Sequence, residues 1–496
     1  MDEKLIKDAE DSLLFTNYAL QLTIPSVLEH GETFDLRIRA IGPDSLPTED
    51  FKKTIFFGRS PGIAGLPKSF AFSPDDKGFI VISNLEAVGP DYAYVVVTPE
   101  GSPMPICSNP AWVMHNPPYR VFWGDLHVHT TYSNCSAWAC KDPEFCYAYA
   151  RDVACLDFCA AADHLRGIAS EERRWSRLQE LVRLHDDPDR FVPFLAFESS
   201  HKTGFGGDNN IYYLGSDAPY FWLDRKDMRG TTPEITLRQL WDFLDATGED
   251  YFTVPHHTGR ASKYRSFAES VYDPKREPVF EIYSGWGSSE CRWNRFPLSA
   301  GNSDEPCYFV DALKAGCRYG VIASSDDHCT LPGGEHVSSG SAGSKRLSNH
   351  VHSGLAAVRA PDLSRESLWN AVMSRNCYGT TLARVLLDLT IGDIEMGQEA
   401  QISETNSLRK IRHIRVKVMS TEPAYTDVVL VRNGEDIAKR RWEKENPEIV
   451  FEDTDKLDDI VVRDAQFHPS PFVVYYVRVE NRFDQTQWSS PIWLDL

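Results

Sequence analysis

The chain has 496 residues, 42% of them hydrophobic and 25% charged, a composition that excludes a disordered or fibrous protein and supplies two or three cores. A formal net charge of −20 argues against the dense Lys and Arg surface that sequence-independent nucleic-acid binding needs, so no nucleic-acid partner is expected. Eleven cysteines without a CxxC pair, an acidic start (MDEKLIKDAEDSLLF) without a signal-peptide pattern and no apolar run of spanning length point to a cytoplasmic chain with reduced thiols and no membrane partner.

In chain order, residues 18–116 alternate short β-type runs (YALQLTIP, TFDLRIRAI, KTIFFG, GFIVIS, AYVVVTP) with turn clusters, which predicts a β-sandwich over 1–118. Pro117-Pro118 marks the boundary. From 119 to 385 strands alternate with helices, the signature of an α/β fold. Asp142-Pro143-Glu144 reads as an N-cap, a proline at the first helical position and an acidic first turn for a helix through Tyr149 and Val153. LDFCAAADH and FVPFLAF follow as buried strands, Pro233-Glu234 opens a helix closed by Gly248, YFTVPHH is a strand, and a helix over Phe309 to Ala315 leads into YGVIASSDDH. The glycine- and serine-rich run at 333–346 reads as a mobile loop. Residues 386–496 return to β-type runs and predict a second β-sandwich.

Residue types that ligate metals recur at the ends of the predicted strands: His127 and His129, Asp163-His164, Glu198, His256-His257, and Asp326 with His328. In an extended strand His127 and His129 project to one side, where two imidazoles can share an ion. Parallel α/β barrels gather their strand C-termini on one face, so these groups are expected to converge there. Imidazole and carboxylate together suit zinc, manganese or iron, and a carboxylate such as Glu198 can bridge two ions.

GDLHVHTTYS, AADH, Glu198, PHHTG and SSDDH, in this order over residues 120 to 330, resemble the successive motifs of the PHP superfamily, the polymerase and histidinol phosphatase phosphoesterases. SGLAAVRAPDLSRESLWNAVMSRNCYGTT and YYVRVENRFDQTQWSSPIW further resemble a bacterial branch of it with flanking β regions. The resemblance implies an α/β chain with a distorted (β/α)7 barrel over 119–385, flanked by β-sandwich regions over 1–118 and 386–496, and two or three divalent ions (zinc, manganese or iron) at the strand C-termini. Carried over by position, His127, His129, Glu198 and Asp326 hold one ion, Glu198 bridges to a second held by His257, and His164 with His328 hold a third. His257 is preferred to His256 because it precedes the turn HTG and because consecutive strand residues face opposite ways.

Two positions depart from the family pattern. Cys135 stands where the family has His or Asp: it is either a thiolate ligand, favouring zinc or iron over manganese, or an ordinary buried thiol. Asp208, in GGDNN, stands where a histidine is usual: it is either a ligand or a turn residue. Asp163 is either a carboxylate that orients His164 or an ordinary acidic loop residue, and Asp125, just before the histidine pair, is a candidate for the same orienting role. Arg166, Lys202 and Arg260 are candidates for binding an anionic small-molecule substrate or are solvated charges. His201 is a general acid or a surface histidine, and Trp138, Phe205, Tyr283 and Trp286 wall a pocket or fill a core. The function these residues imply is metal-dependent hydrolysis of a phosphate ester by a metal-activated water. A carboxylic ester or lactone is the alternative bond, and a non-catalytic scaffold is the third reading.

Overall fold

Alternation of side chains builds the first unit, which holds residues 1–121 with 384–386 and 419–423. In Thr33–Ile41 and Phe79–Ala87, paired antiparallel, Leu36, Ile38 and Leu85 turn inward. They meet Ile55 of Thr54–Phe57 and Val97 of Val96–Pro99 in one apolar core, so the β-type runs read from the sequence become two four-stranded sheets and one three-stranded sheet. The computed structural model describes residues 19–496 except 43–44, 134, 136–139, 165–171, 202, 220–235, 300, 335–352, 422–424, 444–446 and 482–484. Trp138, Arg166, Lys202, Pro233, Glu234 and residues 335–346 of the glycine- and serine-rich run therefore lie outside the described residues.

The second unit holds 122–383, 387–418 and 424–496. Its strands are β1 (Arg120–Val128), β2 (Phe158–Ala161), β3 (Val192–Ser200), β4 (Asp208–Tyr213), β5 (Tyr251–His256), β6 (Val279–Ser284), β7 (Gly320–Ala323), β8 (Leu355–Ala360) and β9 (Cys377–Thr380). Among its helices are α1 (Pro143–Ala148), α2 (Glu172–His185), α3 (Leu237–Thr247), α4 (Phe309–Lys314) and α5 (Arg365–Met373). Asp142 caps α1 by accepting the Phe145 N–H at 2.8 Å, and Gly248 closes α3 with φ +75°, as the sequence predicts.

One sheet runs in the order β5-β4-β3-β2-β1-β8-β9 and continues into C-terminal strands. β1, β2 and β3 are parallel, and both faces of β3 are covered, which is why it reads as an almost continuous apolar run. On one face α5 lays Leu368, Trp369 and Val372 against a cluster containing Phe194, Phe252 and Val358. β6 and β7 pair in parallel in a separate sheet, linked to β1 through a bridge from Val128 to Asp327. The fold is a strand-rich α/β arrangement, and among the described residues no sheet closes on itself.

The expected boundary at 385 is not a division of the structure. Thr486–Ser489 pairs with β9, setting Ser489 opposite Tyr378 and Trp488 opposite Gly379. Trp488, Trp493 and Tyr476 share a core with Phe280, Phe309 and Val321, so β6, β7 and α4 are packed by the last strands of the chain. The reason is the free edge of β9, whose backbone groups need partners once buried. Among the described residues no helix is long and apolar enough to cross a membrane.

Candidate metal centre

β1 ends at Val128 with its inward side chains fully buried, because Gly124 lets the strand lie against Phe158: a Cβ there would meet the ring at 2.1 Å. His127 Nε2 lies 3.4 Å and His129 Nε2 3.0 Å from Asp326 Oδ1. His129 Nε2 is also 3.5 Å from Glu198 Oε2. Glu198, near the end of β3, reaches His164 Nδ1 and His256 Nε2, each at 2.8 Å. The strand ends do converge, and one carboxylate touches three of the imidazoles.

Asp208 joins them by topology. β4 runs antiparallel to β3, so its first residue lies where β3 ends, opposite Ser200 on one side and His256 on the other. Asp208 Oδ2 stands 2.9 Å from His257 Nε2, and the Lys263 ammonium is 3.1 Å from Oδ1. The choice of His257 over His256 is corrected: both face the centre. β5 stops at His256, and His257 takes φ +31°, which releases it from strand alternation and turns its ring back beside its neighbour's, 3.9 Å between centroids. Asp326, at φ +51°, makes a similar bend after β7, where its N–H donates to the His127 carbonyl at 2.8 Å.

Among the described residues several groups of donors lie with their ligand atoms within 4.8 Å of one another, among them His129, Cys135 and His164; His127, His129 and Glu198; His127, His256 and Asp326; His129, Asp326 and His328; Asp208, His256 and His257. His127 Nε2, Glu198 Oε2, His256 Nδ1 and His257 Nδ1 are buried without a hydrogen-bond partner. Buried polar atoms are rarely left so, and divalent ions held by these groups would give them partners. The donor set fits the ions that the motifs imply.

The electrostatics agree. Burial opposes ionisation of Glu198, but His164 and His256 hold its carboxyl well below the usual range. Asp208 is lowered against burial by His257, and Asp326 by His127 and His129. Burial likewise opposes the imidazolium of His127, yet Asp326, Glu281 and Glu198 raise its pKa to about 10. The carboxylates are held ionised by the imidazoles around them.

Cys135 lies at the opposite side of His129 from Glu198. Its Sγ is 3.2 Å from His328 Nε2, 3.9 Å from His129 Nδ1 and 3.1 Å from the Ser133 hydroxyl. Burial raises a thiol pKa, but His129, His164 and His328 bring this one down to about 3.

Other predicted residues divide. Asp163 is corrected from its expected partner: it accepts the Thr130 N–H and hydroxyl, each at 2.6 Å, and so fixes the turn after His129 rather than His164. Asp125 accepts the Ser325 N–H at 2.9 Å and the Gly333 N–H at 3.1 Å, tying the Asp326 loop to β1. Arg260 stacks its guanidinium on Trp286 at 4.7 Å, and that ring approaches His257 at 6.4 Å and His328 at 6.0 Å, forming a wall beside the centre. His201 is buried beyond β3, with its Cβ against Gly206 and its N–H donating to Gly207. Tyr283 belongs to the core, stacked on Trp488, because a bulge after Glu281 turns it away, and Phe205 is exposed.

Sequence reasoning missed Glu281. Its carboxylate lies 3.2 Å from His127 Nδ1 and 3.9 Å from His256 Nδ1, and as an acceptor it fixes a proton on the former, presenting Nε2 of His127 to the centre. The available signal was a single carboxylate in the wholly buried strand VFEIYS, the same texture that singled out Glu198 in VPFLAFESS.

No family model matches the chain. Among curated proteins it is similar to uncharacterized proteins of Chlamydia pneumoniae (27% identical over 426 residues) and Chlamydia trachomatis (25% over 436), each match covering 85% of this chain. The chain spans 65% of the length of these relatives. Among solved structures it is similar to a two-domain protein containing a predicted PHP-like metal-dependent phosphoesterase from Bacteroides vulgatus, at 13% identity and TM-score 0.37, over 76% of this chain and 96% of that one. It is also similar to Endonuclease Q in complex with a 27-mer duplex carrying an abasic lesion, at 12% identity and TM-score 0.28, over 51% of this chain and 56% of that one.

Proposed function

We propose that the chain is a metal-dependent hydrolase of the PHP type, a phosphoesterase acting on a small anionic substrate in the cytoplasm. In this reading its second unit carries that superfamily's distorted (β/α)7 barrel, with β regions on either side. The observation that carries the reading is the convergence of His127, Glu198, His256 and His257, each with a buried ligand atom lacking a hydrogen bond.

Divalent zinc, iron or manganese, held by His127, His129, Glu198, Asp208, His256, His257 and Asp326, would supply an activated water and neutralise charge on a phosphoryl group. The protein's own residues do the rest. Glu281 and Asp163 keep the ligands in place, from opposite ends of β1's imidazole pair. Arg260, whose Nε has no hydrogen-bond partner, is pinned flat on Trp286, and a guanidinium so held matches two oxyanion oxygens at once. A net charge of −20 makes a soluble phosphate ester a better substrate than nucleic acid.

Trp286 favours one second reading, hydrolysis of a carboxylic ester or lactone, since its ring offers an apolar wall next to His257 and His328. Turnover of phosphate monoester, phosphate diester and carboxylic ester panels separates the two. We expect phosphate ester hydrolysis that His127→Ala and Asp326→Ala abolish, with far-UV circular dichroism unchanged and bound metal reduced. Full turnover by a metal-depleted His127→Ala protein would overturn both readings.

A further inference from the structure

We propose that the centre has two chemically different ends, and that its Cys135 end is a separate site for a thiophilic divalent ion, zinc or ferrous iron. The proposal rests on the metal-dependent reading above and assigns a metal class to one part of that centre. At the other end the donors are oxygen and nitrogen only: Asp208 with His256 and His257. Here they are the Cys135 sulfur and the rings of His164 and His328, with His129 between the ends.

His129 shows the division. Its Nε2 faces Asp326 and Glu198, while its Nδ1 faces Ser133 and the Cys135 sulfur. Glu198 Oε2, buried, reaches the same place, 2.8 Å from His164 Nδ1. A thiolate beside imidazoles is a donor set that zinc takes. Manganese and magnesium prefer all-oxygen or oxygen-rich surroundings, so a sulfur donor selects against them at this end alone. Cys140, the next cysteine in the chain, is spoken for: its thiol donates to the His328 carbonyl at 2.8 Å.

The test is optical. Metal-depleted full-length protein is titrated with Co²⁺ and its absorption followed, since a thiolate ligand adds an intense near-ultraviolet sulfur-to-cobalt band that oxygen and nitrogen donors do not give. Wild type and Cys140→Ser are expected to show the band. Cys135→Ser and Cys135→Asp are expected to lose it while keeping visible cobalt absorption from the other end. Excess Mn²⁺ is expected to weaken the visible absorption and leave the sulfur band in place. Cobalt bound by the wild type without the band, a band that survives replacement of Cys135, or a band erased by Mn²⁺ in step with the visible absorption overturns the proposal and leaves the hydrolase reading intact. Failure of the wild type to bind cobalt at all overturns both. The wild-type spectrum and the Mn²⁺ competition need no variant, so misfolding of a substituted chain cannot rescue the idea.

Discussion

At the scale of single residues the centre depends on groups that never touch an ion. Glu281 holds His127 by its Nδ1, and Glu281→Gln replaces an acceptor-only carboxylate with an amide that no longer fixes the ring proton. We expect metal affinity to fall about 10–100-fold with the fold intact, measured by competition with a chromophoric chelator. Unchanged affinity would reduce Glu281 to a bystander. Most of the candidate ligands were legible because they stand in short motifs directly after apolar runs, where a strand must end. Glu281 was not, since a lone carboxylate in VFEIYS has no companion motif. The pair His256-His257 was misread because strand parity holds only while the strand continues, and φ +31° at His257 is invisible in the sequence.

Elements are held in place by buried charge. Arg265 and Glu277 pair at 2.7 Å with both side chains inaccessible, joining the loop after β5 to the start of β6, and Tyr319 of the segment before β7 donates to the same carboxylate at 2.9 Å. Glu277→Gln strands the guanidinium and should cost about 3–5 kcal/mol of stability by urea unfolding; a loss within error would mean that the loop is held by packing alone. A second case gives a pH dependence. Asp453 accepts from Tyr475 at 2.7 Å and Arg432 at 2.8 Å, and although burial pushes its pKa up, these partners bring it below the ordinary aspartate value. A depressed folded value means that the stabilisation is present above the ordinary carboxylate pKa and lost as pH falls through the folded value. The stability gap between wild type and Asp453→Asn should therefore be full near neutrality and shrink below about pH 4, where an unperturbed aspartate takes up its proton. A gap constant with pH would contradict the assignment. Several such elements were predictable in type, with the caps at Asp142 and Gly248. The reversed direction of β4 was not, because antiparallel and parallel buried strands carry the same apolar signature, and that reversal is what brings Asp208 into the centre.

For the whole molecule, the sequence supports a change of texture at 385, but hydrogen bonding across it joins what texture separates. Trp488 is as much a part of the core under β6 and β7 as Phe280 is. A chain ending at residue 385 is expected to be insoluble, because the edge of β9 and the apolar faces under Trp488 and Trp493 are uncovered together. Soluble, metal-binding protein from that truncation would show that the last strands are dispensable. The same pairing has a bearing on synthesis. β9 cannot be paired until residues 381–485 have been translated, which at about 5–20 residues per second is a wait of about 5–20 s. During that interval the nascent chain presents the outer edge of β9 unpaired, a template for pairing with another chain until the final strands arrive.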